Sequence, residues 1–511
     1  MTSDAATSDA ATGDAATHDS MTHDAATRDA CERNSDCFER HGENWVCRAS
    51  NQRCVNLVSA DCPRVIGNSR DDNAVIFGSI LPVTSIYGSS GRAMLRGIEL
   101  GVQDFELAGH LPPAPGKFGR RSIVVVSCND DLMDQSIPLQ AARHLADDVG
   151  VPAIIGPGWS KSLSNLASKV AIPGGVLLLS PYSTDPSLTQ LSDNGLVWRT
   201  APSAAIMANG LVALMPLVEQ DLKAHSAGTT INVAVVGAVG SYEQGIADAL
   251  VPRLTFNGVP ASDDANSSHY TRINYEYSSE WPQTVSTSIL SSKPNVIFLL
   301  APTSDAQRII PAVENGWPDS LAYRPLYLLA DENDRATISS GLVGLSQDSK
   351  KRILGVKLGG AGDTFAAFVS AYRDRINDDT SPDDSFAANA YDAVYNLAYS
   401  TVALGAEPLT GQGLARGFAK QISGSIIPAG LGNIGAAFDR LRAGETFDYD
   451  GASGPLDFDV TTGEAAANVP LWCVRSGDGA TPDVRVSSVY YSAKLGKLTG
   501  SLADLRATCT P

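Results

Sequence analysis

VIFGSILPVTSIYGSSGRAMLRGIELGVQDFELAG, residues 75–109, holds a strand and the helix that follows it. Val75 to Leu81 is a short, nearly continuous apolar run, as a strand covered on both faces requires. Met94, Leu95, Ile98, Val102 and Phe105 then recur at helical spacing, and Gly109 is placed to end the helix. A second apolar run, Ile123 to Ser127, completes a strand-helix-strand unit. The same texture returns at Ala153 to Gly156, Val176 to Ser180, Ile231 to Val236, Val296 to Leu300 and Leu326 to Leu329, with helical segments between. That order predicts an α/β fold of parallel sheets, with ligands gathered at the carboxyl ends of the strands.

At 511 residues the chain exceeds the size at which a single core keeps growing. Two sheet-forming series are separated near Trp198 to Pro202, in VWRTAPSAAIMANGL, a natural crossover between two lobes. The cleft between the lobes is then the default ligand site.

Upstream of this body the texture differs. Asp4, Asp9, Asp14, Asp19, Asp24 and Asp29 recur every five residues among Ala, Thr and Ser, a period that fits neither helix nor strand. Residues 1–30 therefore read as an acidic, hydrated tether. Cys31, Cys37, Cys47, Cys54 and Cys62 follow in a segment with little else to bury, which predicts a disulfide-stapled module over residues 31–73. Four cysteines allow three pairings, of which Cys31 with Cys47 and Cys37 with Cys54 is one. Cys62 lies before the first long strand and Cys128 at the end of the second, so neighbouring strands could bring them together; Cys473 and Cys509 remain as a pair. Wide spacings without paired CxxC knuckles argue against zinc, and His18 with His23 is a poor metal signal. No metal and no cofactor is expected.

The formal charge is -18, and no basic cluster with interleaved aromatics is present, so nucleic acid is not an expected partner. The apolar runs are far shorter than the roughly 20 residues that cross hydrocarbon. The start of the chain has no basic end and no apolar stretch, whereas its cysteines point to an oxidising compartment. An export signal, with or without a lipid anchor, is therefore expected upstream of the sequence.

Catalytic signatures are missing. GSSG at 88–91 follows a strand but lacks the fingerprints of a nucleotide loop, GPGWS and GAVGS are not a GxSxG elbow, and the seven histidines offer no activating base. IIGPGWSKSLSNLA (154–167) and LLLSPYSTDPSLT (177–189) are more informative: each ends a buried strand in Gly or Ser with Pro, then places hydroxyls before a helix. Ser160, Ser183 and Thr184 can thus meet a ligand where backbone N–H groups are also free, although capping and loop formation explain them as well.

These two loops, with VIFGSILPVTSIYGSSGRAMLRGIELGVQDFELAG, VWRTAPS, VAVVGAVGSYEQGIADAL and FAANAYDAVYNLA, resemble the type I periplasmic solute-binding proteins of ABC importers, especially the branched-chain amino-acid-binding group, across about residues 74–500. The resemblance implies two Rossmann-like lobes joined by three crossings. Lobe one is expected at 74–200 and 355–430, and lobe two at 203–350 and 435–508. It implies a non-catalytic receptor for a small polar, amino-acid-like ligand, with an ABC permease or a sensor as partner. By its motifs Ser160 and Thr184 would grip the ligand's α-carboxylate or α-ammonium and Tyr182 would lend its carbonyl, with Ser183 in the same loop. Tyr242 would close over the ligand, and Asp305, in FLLAPTSDAQRII, would face its ammonium.

Two departures put a leucine, isoleucine or valine ligand in doubt. Trp159 replaces the modest residue common before the binding serine, and the loop from Asp331 to Asp334 is unusually acidic. The ligand classes that compete with an amino acid are a small amide or urea-like compound and an aromatic acid that stacks on Trp159. The competing functions are an enzyme on a small polar substrate and an interaction protein with a decayed cleft.

Overall fold

The computed structural model describes residues 29–84, 88–131, 133–225, 229–239, 242–330, 340–382, 386–475 and 482–509. The repeating aspartates before Asp29 and the acidic loop with Asp331 lie outside them.

The cysteine module is a helix, Asn34–His41, against the hairpin β1 (Trp45–Arg48) and β2 (Arg53–Asn56). Cys31 bonds Cys47 and Cys37 bonds Cys54, so its thiolates are not available to a metal. The module begins earlier than residue 31, because the Cys54 amide donates to the Asp29 carbonyl at 3.0 Å and Ala30 bridges Arg53. It also ends before residue 73: β3 (Arg64–Ile66) already joins the first large sheet, antiparallel to the strand Ile123–Asn129.

That sheet contains β4 (Val75–Leu81), β5 (Ile123–Asn129), β6 (Ala153–Ile155), β7 (Leu177–Ser180) and β8 (Val197–Arg199), all parallel. Cys62 is bonded to Cys128 at the end of β5. The helix Gly88–Leu107 follows β4 and packs on a second long helix, Ala387–Ala403. Two glycines permit that approach: a Cβ at Gly97 would lie 2.2 Å from the Ala387 carbonyl oxygen, and one at Gly101 would lie 3.0 Å from Val394 Cβ. Buried at the contact, Asp104 accepts from the Tyr391 and Tyr395 hydroxyls at 2.5 and 2.6 Å and pairs with Arg375 at 2.7 Å.

The second sheet has β9 (Val233–Ala238) flanked by β12 (Tyr270–Tyr275) and β13 (Val296–Leu300), then β14 (Leu326–Ala330) and β15 (Ile353–Val356), all parallel; β10 (Thr255–Phe256) and β11 (Val259–Pro260) form a small hairpin beside it. The chain returns to the first lobe after Val356. There β16 (Ser425–Pro428) pairs with β17 (Phe447–Asp450), and β18 (Phe458–Asp459) with β19 (Glu464–Ala465) extends the first sheet beside β8. Finally β20 (Val469–Arg475), β21 (Asp483–Ser492) and β22 (Lys497–Leu498) extend the second sheet antiparallel, starting on β15.

These pairings move the expected lobe boundaries. Residues 353–356 belong to the second sheet, so the second crossing follows Val356 instead of preceding residue 355. Lobe one runs to Ala465 instead of about 430, because the helix Ile434–Arg442 buries Ile434, Ala437, Phe438 and Leu441 and packs on the Ala387–Ala403 helix. Lobe two resumes at β20, not at residue 435. The terminal helix Leu502–Thr508 is fastened to β20 by the Cys473 to Cys509 bond. Peptide mapping without reduction should recover four linked pairs, Cys31 with Cys47, Cys37 with Cys54, Cys62 with Cys128 and Cys473 with Cys509; native free thiols at these positions would contradict the arrangement.

Among the described residues no helix is long and apolar enough to cross a membrane.

Candidate functional site

The carboxyl ends of β5, β6 and β7 build one half of the site. Gly156 ends β6 with φ +124°, and a Cβ there would come within 2.3 Å of the Ile80 carbonyl oxygen, so only glycine fits beside β4. The next turn is held from below by Asp130, which follows β5. Its carboxylate accepts from the Trp159 amide at 3.1 Å and from Ser162 Oγ at 2.8 Å. Ser180, the last residue of β7, locks the two loops together: its hydroxyl donates to the Pro157 carbonyl at 2.7 Å and accepts the Ser183 amide at 3.1 Å.

Ser160 opens the helix Ser160–Leu166, and its Oγ accepts the Asp185 amide at 3.4 Å. Thr184 is buried, and its carbonyl accepts the Ala204 amide at 2.8 Å. The buried Ser183 hydroxyl lies 3.4 Å from both the Pro157 and Gly158 carbonyls, so it serves the loop packing. The Tyr182 ring meets Trp159 edge-on at 5.3 Å and Phe386 at 4.9 Å, forming an aromatic wall.

The second half comes from β9, β12 and β13. Asp305 lies in the first turn of the helix Thr303–Gly316, after β13, and is only 4% exposed. Its Oδ2 accepts from Tyr275 at 2.5 Å and Tyr277 at 2.9 Å; Ser304 Oγ lies 3.4 Å from Oδ1. Desolvation, reinforced by the bond to Asp305, pushes the Tyr277 hydroxyl up to about 12 and that of Tyr275 further. Both phenols therefore stay protonated near neutral pH and donate to Asp305. Tyr275 stacks on Trp281 at 4.7 Å, which fixes its direction, while Tyr277 is 59% exposed. Glu243, on the helix Tyr242–Leu250 after β9, adds its negative field to both tyrosines. Tyr242 begins that helix.

The two halves meet where the helix Tyr242–Leu250 rests on the first lobe: a Cβ at Gly245 would lie 2.8 Å from Pro186 Cγ, two residues beyond Thr184. Trp159, Ser160, Tyr182 and Thr184 are thus brought together on one lobe, and Asp305 lies with Tyr275, Tyr277 and Glu243 on the other. The imidazoles of His144, His225 and His269 make their contacts away from the two serine loops.

Asp130, Ser180, Tyr275 and Tyr277 carry the geometry but were not singled out by sequence reasoning. Asp130 had a signal, an acid directly after the strand IVVVSCN; the tyrosines of NYEYSSEW had only their place at and just after the end of a strand.

Asp130 also makes a pH-dependent prediction. Burial pushes its carboxyl up to about 6, against the opposing hydrogen bonds from Ser162, Trp159 and Gly158. The folded chain then holds the proton more tightly than the unfolded one, whose value is about 4. Its contribution to stability is present below the unfolded value and is lost as pH rises through about 6. In urea unfolding, the difference between wild type and Asp130→Asn should become less favourable to wild type from pH 4 to pH 7. A difference that grows over this range would contradict it.

Comparison with known proteins gives one consistent result. The family described as "Periplasmic binding protein" matches residues 74–480. The "Chemotactic signal transduction system substrate-binding protein BasB" of Halobacterium salinarum is 24% identical over 393 residues, covering 75% of this chain and 83% of its own. Among solved structures, the branched-chain amino acid transporter substrate binding protein LivJ of Streptococcus pneumoniae, in complex with isoleucine, aligns with TM-score 0.52 at 16% identity, covering 81% of this chain and 99% of its own. A solute binding protein of an ABC transporter from Rhodopseudomonas palustris BisB5, in complex with 3,4-dihydroxy benzoic acid, aligns with TM-score 0.52 at 15% identity, covering 82% and 98%. At these identities the structural matches speak to the fold.

Proposed function

The chain belongs to the periplasmic binding protein family, and from that premise we propose that its cleft closes over an amino acid or close derivative. It is an extracytoplasmic solute-binding receptor and not an enzyme. The observation that carries the ligand class is Asp305: a nearly buried carboxylate in the first turn of the helix after β13, held by two phenol donors. A carboxylate so placed offers only acceptors, which an ammonium satisfies with charge-assisted bonds.

On the first lobe Ser160 and Thr184 hold the ligand's carboxylate with backbone N–H groups, and Tyr182 contributes its carbonyl. Trp159 bounds the side-chain end. Binding shifts the population toward the closed form because the ligand touches both lobes. An ABC permease or a sensor reads that form. An aromatic acid is the second reading, favoured by the wall of Trp159, Tyr182 and Phe386.

Small-angle scattering of the full chain with each of the twenty L-amino acids tests the first reading. One or more should reduce the radius of gyration. Contraction with hydroxybenzoates alone would replace it with the second.

A further inference from the structure

One buried side chain joins the ligand loop to two strands that lead into the crossings between the lobes. Arg199 ends β8 at the first crossing and is 2% exposed. Its Nη1 donates to the Ser183 carbonyl at 3.2 Å and the Asp185 carbonyl at 2.9 Å. Its Nη2 donates to Thr189 Oγ1 at 3.2 Å and pairs with Glu464. Glu464 stands opposite Arg199 in register on β19, just before the third crossing, and also accepts from Thr189 Oγ1 at 2.8 Å. The carbonyl between the two that Arg199 holds, that of Thr184, accepts the Ala204 amide beyond the first crossing. Three consecutive carbonyls of the loop are therefore fixed by the first crossing, and the cation that holds two of them is neutralised beside the third.

A guanidinium removed from water must keep both its countercharge and its acceptors. If the crossing strands shift, Arg199 loses either Glu464 or the loop carbonyls. Order in the loop and the geometry of the hinge are then stable together or lost together.

We propose that Arg199 is a positioning residue that ties the 183–185 loop to β8 and β19, the strands that lead into the first and third crossings, so that ligand retention is set at the hinge as well as in the cleft. The retention clause rests on the reading that Thr184 and Ser160 hold the ligand; the link from loop to hinge does not.

Hydrogen exchange on full-length wild type, Arg199→Met, Arg199→Lys and Glu464→Gln separates the two. In Arg199→Met the amides of Ser183, Thr184 and Asp185 should exchange about tenfold faster or more, because hydrogen bonds to a charged donor are lost. The amides of β4 and β13 should keep their wild-type rates. Arg199→Lys, which keeps the charge but not the fork, and Glu464→Gln should fall between. Equilibrium dialysis against an equimolar mixture of the twenty L-amino acids, read by mass spectrometry, should show retention falling about tenfold in Arg199→Met, in step with the exchange. Wild-type exchange at 183–185 in the variants overturns the proposal, whatever the dialysis shows. Faster exchange with no amino acid retained by wild type upholds the loop-to-hinge link and removes the amino-acid reading. If Arg199→Met does not fold, unchanged exchange in both other variants overturns the proposal and faster exchange in either supports it.

Discussion

Asp305→Asn should weaken retention of an L-amino acid by tenfold to a hundredfold. The substitution keeps the volume and one carbonyl for the tyrosine hydroxyls, which now donate to Asp305 at 2.5 and 2.9 Å, but removes the charge that faces an ammonium. A hydrogen bond to a charged group is worth about 1.5–3 kcal/mol, and about 1.4 kcal/mol is a factor of ten in affinity. A neutral polyol or amide should lose much less. Tyr277→Phe should act in the same direction and more weakly, since Tyr275 still orients the carboxylate. Calorimetric titration with the retained compound measures both; equal affinities for wild type and Asp305→Asn would sink the ammonium assignment and leave the fold untouched.

The largest stability loss is expected at Asp104, away from the cleft. This fully buried carboxylate joins the helix Gly88–Leu107 to the helix Ala387–Ala403 through Tyr391 and Tyr395, and it neutralises Arg375. Asp104→Ala takes from two phenols and a cation the acceptor they share where these two helices meet. Breaking such a buried pair costs about 3–5 kcal/mol. The midpoint of urea unfolding should fall accordingly, while Asp104→Asn, which keeps acceptors, should lose less. A change below about 1 kcal/mol for Asp104→Ala would show that the network is not what joins these helices.

What the sequence made legible follows from local pattern. The runs at Val75–Leu81 and Val296–Leu300 are fully or nearly buried strands, the run at Ile231–Val236 overlaps the buried strand Val233–Ala238, and the helix after Val75–Leu81 has the apolar face its spacing implied. The GPGWS and SPYST loops fall at strand ends for the same reason. The third crossing was misplaced because β16 to β19 are two to four residues long, too short for a period to show, and the amphipathic helix Ile434–Arg442 has no local mark of the lobe it joins. Constellations were less visible still. Tyr275 and Asp305 are 30 residues apart, and Arg199 meets Glu464 across 265. Nothing in the residues near either partner announces such a pair. Asp305 itself was found through family resemblance; the two phenols that aim it came only with the fold.

Native mass spectrometry of the gently purified full chain tests the central claim most directly. A receptor should carry a small compound that leaves intact, with its mass unchanged after prolonged incubation with the protein, and that compound should contain an amine. A bound compound converted to a new mass would contradict the receptor. A tightly held ligand without an amine would contradict the place given to Asp305.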